Sequence, residues 1–255
     1  MAFPERFSNL PEYAFPRLRG LLDSHAPGGE AIAMTIGEPR HAMPDFVGPV
    51  LAQSLAEFGK YPANDGTPEL LAAISAWLKM RYRADVAPER IMALNGTREG
   101  LFNAAIALCP EAKNGQKPVI LIPNPFYQVY AVAAAAVGAE AVFVPATEET
   151  GFLPDYASLP PEVLDRTAIA YLCSPANPQG AVASRAYLSA LLTLARPLGS
   201  AKVAPSGIER TPTPFVTIAS NAQISPGFTQ VVPVVVGLAT PWMLILAALL
   251  TYSVP

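Results

Sequence analysis

A short apolar run, residues 168–173, stops abruptly at a loop that contains two prolines and a glycine. A bounded apolar run of this length predicts a buried strand. Pro178 disfavours a helical backbone for Asn177, so the amide of Asn177 is expected at the carboxyl end of that strand. Ligands bind at this end of open α/β sheets. Taken alone, the Asn-Pro dipeptide fits an ordinary strand-to-helix turn better than a binding site.

Strand and helix patterns alternate over most of the chain. Apolar runs predict further strands at residues 31–36, 91–94, 119–122 and 141–144. Helices are predicted at residues 11–24, 46–58, 68–78, 101–108, 129–137 and 184–196, with Thr67 and Ser184 as N-caps. This alternation predicts an α/β fold with a largely parallel sheet and helices on both faces.

The first three predicted helices carry apolar residues at helical spacing, which predicts a buried face on each of them. These stripes are Leu18, Leu21 and Leu22; Phe46, Val50, Leu51, Leu55 and Phe58; and Leu70, Leu71, Ile74, Trp77 and Leu78.

Charge and composition exclude several classes of protein. The net charge of −3 gives no basic surface for a nucleic acid. Two cysteines and two histidines offer neither a disulfide framework nor a metal-binding spacing, which favours the reducing cytoplasm. Residues 1–10 lack the apolar core of a signal peptide.

The segment Asn95-Gly96-Thr97-Arg98-Glu99-Gly100 lies between a predicted strand and a predicted helix. The N-terminus of a helix offers free backbone N–H groups and the positive end of the helix dipole, which together suit a phosphate. Gly96 lets an anion approach the backbone, and Thr97 adds a hydroxyl donor. Simple N-capping by Asn95 or Thr97 is the alternative interpretation of this segment.

A third loop, Pro123-Asn124-Pro125-Phe126-Tyr127, also follows a predicted strand. Its aromatic rings could stack on a flat heteroaromatic ring, or they could be ordinary packing residues. A phosphate cradle, a stacking ring and an amide donor at one edge of a sheet suit a phosphorylated planar cofactor. A generic nucleotide-binding α/β domain would also use such an edge.

The string Ser174-Pro175-Ala176-Asn177-Pro178-Gln179-Gly180 resembles the Asn-Pro-x-Asn-Pro-x-Gly signature of class I/II aminotransferases, with Ser-Pro in place of the first Asn-Pro. These enzymes are built around pyridoxal 5′-phosphate (PLP). The resemblance implies a three-layer, PLP-transferase-like large domain with a mostly parallel sheet, present here in incomplete form. It places Gly96, Thr97 and Arg98 at the cofactor phosphate, Tyr127 over the pyridine ring and Asn177 at the phenolic oxygen.

Two further segments resemble the same family. Lys60-Tyr61-Pro62, followed by Gly66, looks like the run whose tyrosine reaches the cofactor phosphate of the neighbouring subunit. Tyr61 would then serve the partner's site in a homodimer. Ile36-Gly37-Glu38-Pro39 looks like the loop whose glycine lies near the substrate carboxylate, so Gly37 is expected to bind substrate.

The resemblance implies transfer of an amino group between an amino acid and a 2-oxo acid. The strings Asn-Gly-Thr-Arg-Glu and Asn-Pro-Phe-Tyr-Gln-Val-Tyr look most like succinyldiaminopimelate aminotransferases of lysine biosynthesis. The expected substrates are therefore N-succinyl-diaminopimelate and 2-oxoglutarate.

The residues that carry out the family's chemistry are missing after Asn177. The family needs a Schiff-base lysine, an acid opposite the pyridinium nitrogen and a late arginine that grips the substrate carboxylate. Here no aspartate follows Asp165, and Lys202 and Arg210 come too early in the chain. We therefore expect a truncated or frame-disrupted aminotransferase without catalytic residues of its own, inactive alone.

The sequence after the resemblance differs in character. Residues 197–255 are rich in Pro, Ser and Val and carry no charge after Arg210. We expect an N-terminal arm and small-domain segment at 1–45, a partial PLP-binding large domain at 46–196 and a non-family apolar tail at 197–255. Residues 231–254 are long and apolar enough to span a bilayer, although no Lys or Arg flanks them. The alternative function is accordingly a non-catalytic half-domain attached to a membrane or partner through this tail.

Overall fold

The computed structural model describes residues 5–8, 10, 12–32 and 42–195, together with the strands at 215–218, 234–236 and 243–248. In the described part of the chain, the helices are α1 (Ala14–Leu22), α2 (Val47–Gln53), α3 (Pro68–Tyr82), α4 (Thr97–Leu108), α5 (Val129–Ala136), α6 (Pro161–Arg166) and α7 (Arg185–Leu194). Short 3-10 helices lie at Glu5–Phe7, Leu55–Gly59, Pro88–Arg90 and Tyr156–Ser158. The strands are β1 (Val119–Asn124), β2 (Glu140–Pro145), β3 (Thr167–Ser174), β4 (Phe215–Ile218), β5 (Val234–Val236) and β6 (Met243–Ala248).

The sheet is mostly parallel, as predicted. Its strand order is β2-β1-β3-β6-β4-β5, and β1 runs parallel to both β2 and β3. Val119 opens β1 opposite Glu140 on one side and Thr167 on the other. The carboxyl ends of β1 and β3 therefore lie at the same edge of the sheet.

Helices cover both faces of the central strands, which explains why β1 and β3 are apolar throughout rather than alternating. On one face, α4 and α5 pack against the sheet through a cluster that includes Leu101, Ala105, Tyr130, Ala133, Ile120 and Ile169. On the other face, the cluster includes Leu121, Leu172, Leu153, Tyr156 and Leu191 of α7. These three layers confirm the predicted α/β class.

Three buried tyrosines connect the layers through their hydroxyls and rings. Tyr171 of β3 stacks on Tyr130 of α5, with ring centroids 4.3 Å apart, and its hydroxyl donates to the carbonyl oxygen of Leu101 at 2.9 Å. The hydroxyl of Tyr156 donates to the carbonyl oxygen of Tyr171 from the other face. Burial raises the pKa of all three phenols, so they remain neutral donors.

Polar and charged side chains hold together the amino ends of β1, β2 and β3. Lys113 donates to the carbonyl oxygen of Thr167, and the side-chain amide of Asn114 donates to that of Asp165 at 2.9 Å. The guanidinium of Arg166 contacts Glu140 Oε2 at 2.7 Å. Burial lowers the pKa of Lys113 from 10.5 to about 8. Hydrogen bonds and an ion pair thus connect the strands at the amino edge of the sheet, whereas the predicted site lies at the carboxyl edge.

Some predicted elements differ from the structure. Residues 91–94 are not a strand; instead the Ala93 N–H bonds to the carbonyl oxygen of Asp65 at 2.9 Å, so this segment pairs with a loop. Of the strand predicted at 31–36, residues 31–32 are irregular and the remainder lies outside the described residues. Helix α6 was not predicted, because its six residues are too short to show helical periodicity.

The tail contributes strands to the sheet. Strand β6 pairs in parallel with β3, from Ile169 opposite Met243 to Ser174 opposite Ala248. The segment 231–254, which could have spanned a bilayer, thus contains β5 and β6, and its other residues lie outside the described ones. In the portion of the chain that the structure covers, no helix is both long and apolar enough to cross a membrane.

Candidate functional site

Three of the predicted site residues, Arg98, Tyr127 and Asn177, line a cleft at the carboxyl edge of the sheet. The cleft has a volume of about 970 Å³ and combines the start of α4, the loop after β1 and the loop after β3. Its polar and aromatic lining residues include Asn95, Arg98, Glu99, Asn103, Tyr127, Gln128, Asn177, Tyr13 and Phe15. Three loops that are distant in sequence therefore form one site.

The turn before α4 has the open backbone that an anion needs. Gly96 holds the N-cap position of α4 with φ +119°, a conformation that residues with side chains rarely adopt. A Cβ atom built on Gly96 would meet no atom within 4 Å, so the space above this turn is open. Because the N-cap is a glycine, no side chain at that position competes with a ligand for the N–H groups of the first turn.

The neighbouring glycine in this segment serves packing instead. Gly100 is buried, and a Cβ there would lie 2.6 Å from Cδ1 of Leu94. Glycine at this position lets α4 approach the preceding segment closely. The two glycines of the motif therefore have different roles.

Arg98 and Tyr127 join two of the three loops. The Arg98 Nε donates to the Tyr127 hydroxyl at 2.8 Å, and the guanidinium carbon lies 5.7 Å from the centre of the Tyr127 ring. The hydrogen bond to Tyr127 raises the pKa of Arg98, which keeps the guanidinium charged. The Arg98 side chain thus connects the anion turn to the predicted stacking ring.

The ring of Tyr127 also packs against the core of the protein. It packs edge-on against Tyr130, with centroids 5.9 Å apart and planes at 88°. Tyr130 is buried and belongs to the stacked pair with Tyr171. The orientation of Tyr127 is thus set by the core on one side and by Arg98 on the other.

The loop after β3 is closed by its own backbone. The Ala176 N–H bonds to the carbonyl oxygen of Ala181 at 2.7 Å, and the Gly180 N–H bonds to that of Ala176 at 2.6 Å. Ser174, which stands where the aminotransferase signature has asparagine, accepts a hydrogen bond from the Ala183 N–H at 2.9 Å. Its hydroxyl therefore anchors the loop that carries Asn177 into the cleft.

The thiol of Cys173, at the end of β3, is buried among these groups. Burial raises its pKa to about 11, so it remains a neutral thiol at physiological pH. It therefore contributes neither a charge nor a reactive thiolate to the site.

Of the other predicted site residues, Gly96 and Thr97 adjoin the lining residues Asn95 and Arg98 in the sequence but are not part of the lining themselves. Tyr61 is fully exposed, at 101% of its reference area, and does not line the cleft. Gly37 lies outside the described residues. Conversely, Tyr13 and Phe15 line the cleft although the sequence did not indicate them, because the segment around them was interpreted only as a helix with an apolar face.

The donor set suits a phosphorylated aromatic group and does not suit a metal. No group of three or more His, Cys, Asp or Glu that could hold a metal ion occurs among the described residues. By contrast, the cleft offers a helix N-terminus, the cation of Arg98, an aromatic ring and the Asn177 amide. Within the described residues, no lysine lines this cleft.

Comparison with known proteins supports the same assignment. Residues 29–200 match the family described as "Aminotransferase class I and II". The LL-diaminopimelate aminotransferase of Dehalococcoides mccartyi is 32% identical over 187 residues, covering 72% of this chain and 47% of that protein. The protein of the same name from Desulforudis audaxviator is 34% identical over 205 residues, covering 78% of this chain and 51% of that protein.

Solved structures agree with the sequence matches. The crystal structure of an aminotransferase from Neisseria meningitidis superposes with a TM-score of 0.69 at 36% identity, covering 75% of this chain and 49% of that one. The chain thus spans about half the length of the curated relatives that it matches. With a matching fold and sequence, the chain belongs to the class I and II aminotransferase family, whose members use pyridoxal 5′-phosphate.

Proposed function

We propose that this chain forms the PLP-binding half of an aminotransferase site. The observation that carries the proposal is that Arg98, Tyr127 and Asn177, from three separate segments, line one cleft at the carboxyl edge of the sheet. PLP, when bound, supplies the electron sink that amino transfer requires. The chain's own residues bind and orient it.

Each residue has a distinct part in this binding. The backbone at Gly96 and Thr97, at the start of α4, holds the phosphate, and the charge of Arg98 favours the dianion. The ring of Tyr127, which Arg98 and Tyr130 hold in place, stacks on the pyridine ring. The Asn177 amide donates a hydrogen bond to the phenolic oxygen of the cofactor.

A titration with PLP, followed by absorbance and fluorescence, tests this proposal on the whole 255-residue chain. We expect reversible binding, because no lysine lines the cleft among its described residues. Asn177→Ala removes one hydrogen bond and should weaken binding by about tenfold. Asn64→Ala makes the same change at an exposed asparagine and should leave the affinity unchanged. Equal affinities of wild type and Asn177→Ala would contradict the role of Asn177.

We further propose that the 255-residue chain has no transaminase turnover, since the only lysine after Asn177 is Lys202, which comes too early in the chain to be the family's Schiff-base lysine. A coupled assay with 2-oxoglutarate as amino acceptor checks this. Clear turnover by the purified chain would show that another group performs the lysine's task.

For the substrate, we propose a diaminopimelate-type amino acid with a 2-oxo acid as acceptor. The names of the similar proteins from Dehalococcoides mccartyi and Desulforudis audaxviator support this class. The test is a chimera that joins residues 29–200 to the second half of the former enzyme, assayed with LL-diaminopimelate, N-succinyl-LL-diaminopimelate and aspartate. Preference for the N-succinyl compound would support the narrower assignment from the sequence, and preference for aspartate would contradict both.

We also propose a homodimer in the cytoplasm. Tyr61 is fully exposed, and α2 and the 3-10 helix after it expose large apolar side chains, including Phe46, Val50, Leu55 and Phe58. A second copy would cover this surface and bring Tyr61 to the neighbouring cofactor phosphate. Sedimentation velocity of wild type and of Phe58→Lys tests this proposal. The added charge should shift the protein from dimer towards monomer. A wild type that sediments as a monomer would contradict the proposal. Both cysteines are free thiols, which fits a reducing compartment.

A further inference from the structure

The carboxylate of Glu99 is bonded to the backbone of the anion turn. Its Oε2 accepts a hydrogen bond from the Asn95 N–H at 2.6 Å. This distance is short for a nitrogen donor, as expected when the acceptor is charged. Glu99 also lines the cleft, so the contact lies within the candidate site.

The backbone between these two residues contains a glycine in an unusual conformation. Gly96 adopts φ +119° and ψ 168° and has no side chain to restrain it. The first backbone bond across the turn, from the Gly100 N–H to the Gly96 carbonyl oxygen, is long at 3.4 Å. The contact between Glu99 and Asn95 closes the turn from outside and, at 2.6 Å, is shorter than this backbone bond.

We propose that Glu99 is a positioning residue for the anion turn. Its carboxylate fixes the backbone at Asn95 and Gly96, so that the N–H groups of the first turn of α4 are arranged in advance for one phosphate. This inference rests on the proposed function and adds to it the residue that shapes the turn. No role of this kind was indicated for Glu99 by the sequence motifs.

The position of the Glu99 carboxylate and its negative charge should have opposite effects on phosphate binding, so variants that change one of them at a time test the proposal. A carboxylate at a helix N-terminus interacts favourably with the helix dipole, yet it repels a phosphate bound nearby. If Glu99 acts by position, losing its reach must weaken phosphate binding. If it is only an anion that occupies the turn, losing its charge must strengthen binding.

Three variants separate these effects in the whole chain. Glu99→Gln keeps the reach and an acceptor oxygen but removes the charge. Glu99→Asp keeps the charge but is one methylene shorter, and Glu99→Ala keeps neither. Glu69→Gln is the matched control, because Glu69 is an exposed acid in the first turn of α3 and does not line the cleft.

We expect PLP affinity to fall by about tenfold in Glu99→Asp and Glu99→Ala, and to stay within about threefold of wild type, or to rise, in Glu99→Gln. Hydrogen exchange of the Asn95 amide, measured by NMR without PLP, should accelerate by about tenfold in the same two variants only. Glu69→Gln should change neither quantity.

The outcomes also distinguish this inference from the proposed function. If Glu99→Ala binds PLP as tightly as wild type, or more tightly, the positioning role is wrong. If wild type does not bind PLP, the proposed function fails, and the exchange rate of the Asn95 amide still decides whether Glu99 holds the turn. If Glu99→Ala does not fold, the comparison of Glu99→Asp with Glu99→Gln gives the same decision.

Discussion

The unit formed by residues 91–195 and the N-terminal region at residues 12–32 and 42–90 use apolar side chains in opposite ways. In the first, Val119 to Ile122 and Ile169 to Leu172 are almost completely inaccessible to solvent. In the second, Leu78 is the one buried side chain among the described residues. The residues of the candidate cleft lie mainly in the first unit, whereas Tyr61 lies in the second. The site is therefore built on the part of the chain that completes its own core.

The difference does not come from the sequence patterns themselves. The apolar stripes of the N-terminal helices have helical spacing, but Leu21 is 62% exposed, Phe46 67% and Phe58 71%. Each Å² of apolar surface contributes about 25 cal/mol only when it leaves water. An apolar stripe becomes a core only when another surface covers it, and we propose a second subunit as that surface.

The same substitution made in both regions would test this difference most strongly. Leu172 is fully buried in β3, and Leu55 is 66% exposed after α2. Leu172→Ala should lower the free energy of unfolding by about 2–5 kcal/mol, because it leaves a cavity in the core. Leu55→Ala should change it by less than about 0.5 kcal/mol. Urea denaturation followed by far-UV circular dichroism measures both.

Dilution provides the control for this comparison. If a second copy covers the N-terminal region, the cost of Leu55→Ala should increase with protein concentration, whereas that of Leu172→Ala should not. Equal costs for the two substitutions at every concentration would show that the two regions do not differ in packing.

A second, smaller effect depends on pH and concerns the amino edge of the sheet. Burial lowers the pKa of Lys113 from 10.5 to about 8, so between these values the unfolded chain holds more protons than the folded one. The free energy of unfolding should therefore rise with pH across this window. Below about pH 8 Lys113 is charged in the folded and the unfolded chain, so the whole cost of burying its charge destabilises the fold. Relative to Lys113→Met, the free energy of unfolding of wild type should increase by roughly 1–3 kcal/mol between about pH 8 and pH 10.5.

The exposed Lys117, four residues further along the chain, provides the matched control. Lys117→Met should show the same dependence on pH as wild type in urea denaturation measured from pH 7 to 11. A Lys113→Met curve parallel to that of wild type would contradict the proposed effect of burial.

The smallest effects should come from helix caps in the two regions. Thr67 caps α3 by accepting from the Leu70 N–H at 3.3 Å, and Ser184 caps α7 by accepting from the Tyr187 N–H at 3.1 Å. Each cap contributes about 1 kcal/mol to its helix. Ser184→Ala should lower the free energy of global unfolding by this amount, because α7 packs on the sheet through Leu191.

Thr67→Ala should act locally instead. Amide hydrogen exchange should accelerate in α3, while the midpoint of global unfolding shifts less than for Ser184→Ala. An equal shift of both midpoints would show that α3 unfolds together with the sheet.

The central fold was predictable because its signals are local. The apolar runs at 119–122 and 168–173 became β1 and β3, and both predicted N-caps form their bonds. Residues 91–94 have the same apolar character, yet their backbone bonds with the loop at Asp65. That choice depends on a contact between distant segments, which the local pattern does not contain.

The sequence predicted candidate site residues but not the contacts that the structure shows between them. Motif order indicated Gly96, Tyr127 and Asn177, and the structure shows how their loops are held. The bond between Arg98 and Tyr127 joins residues 29 positions apart, so no spacing rule reveals it. The bond from Asn95 to Glu99 is local, and an acid three residues after the N-cap Gly96 could have indicated it.

The stacked pair of Tyr130 and Tyr171 has a spectroscopic consequence. Their rings lie nearly parallel, 17° apart, and Tyr171 is bonded to Leu101, so the pair forms only when α4, α5 and β3 are packed together. Trp77 lies in a separate cluster with Leu78 and Ile91. In a Trp242→Phe variant, whose remaining tryptophan is Trp77, near-UV circular dichroism from the tyrosines and tryptophan fluorescence therefore report on different parts of the molecule. A single sample can show whether the core assembles before its periphery.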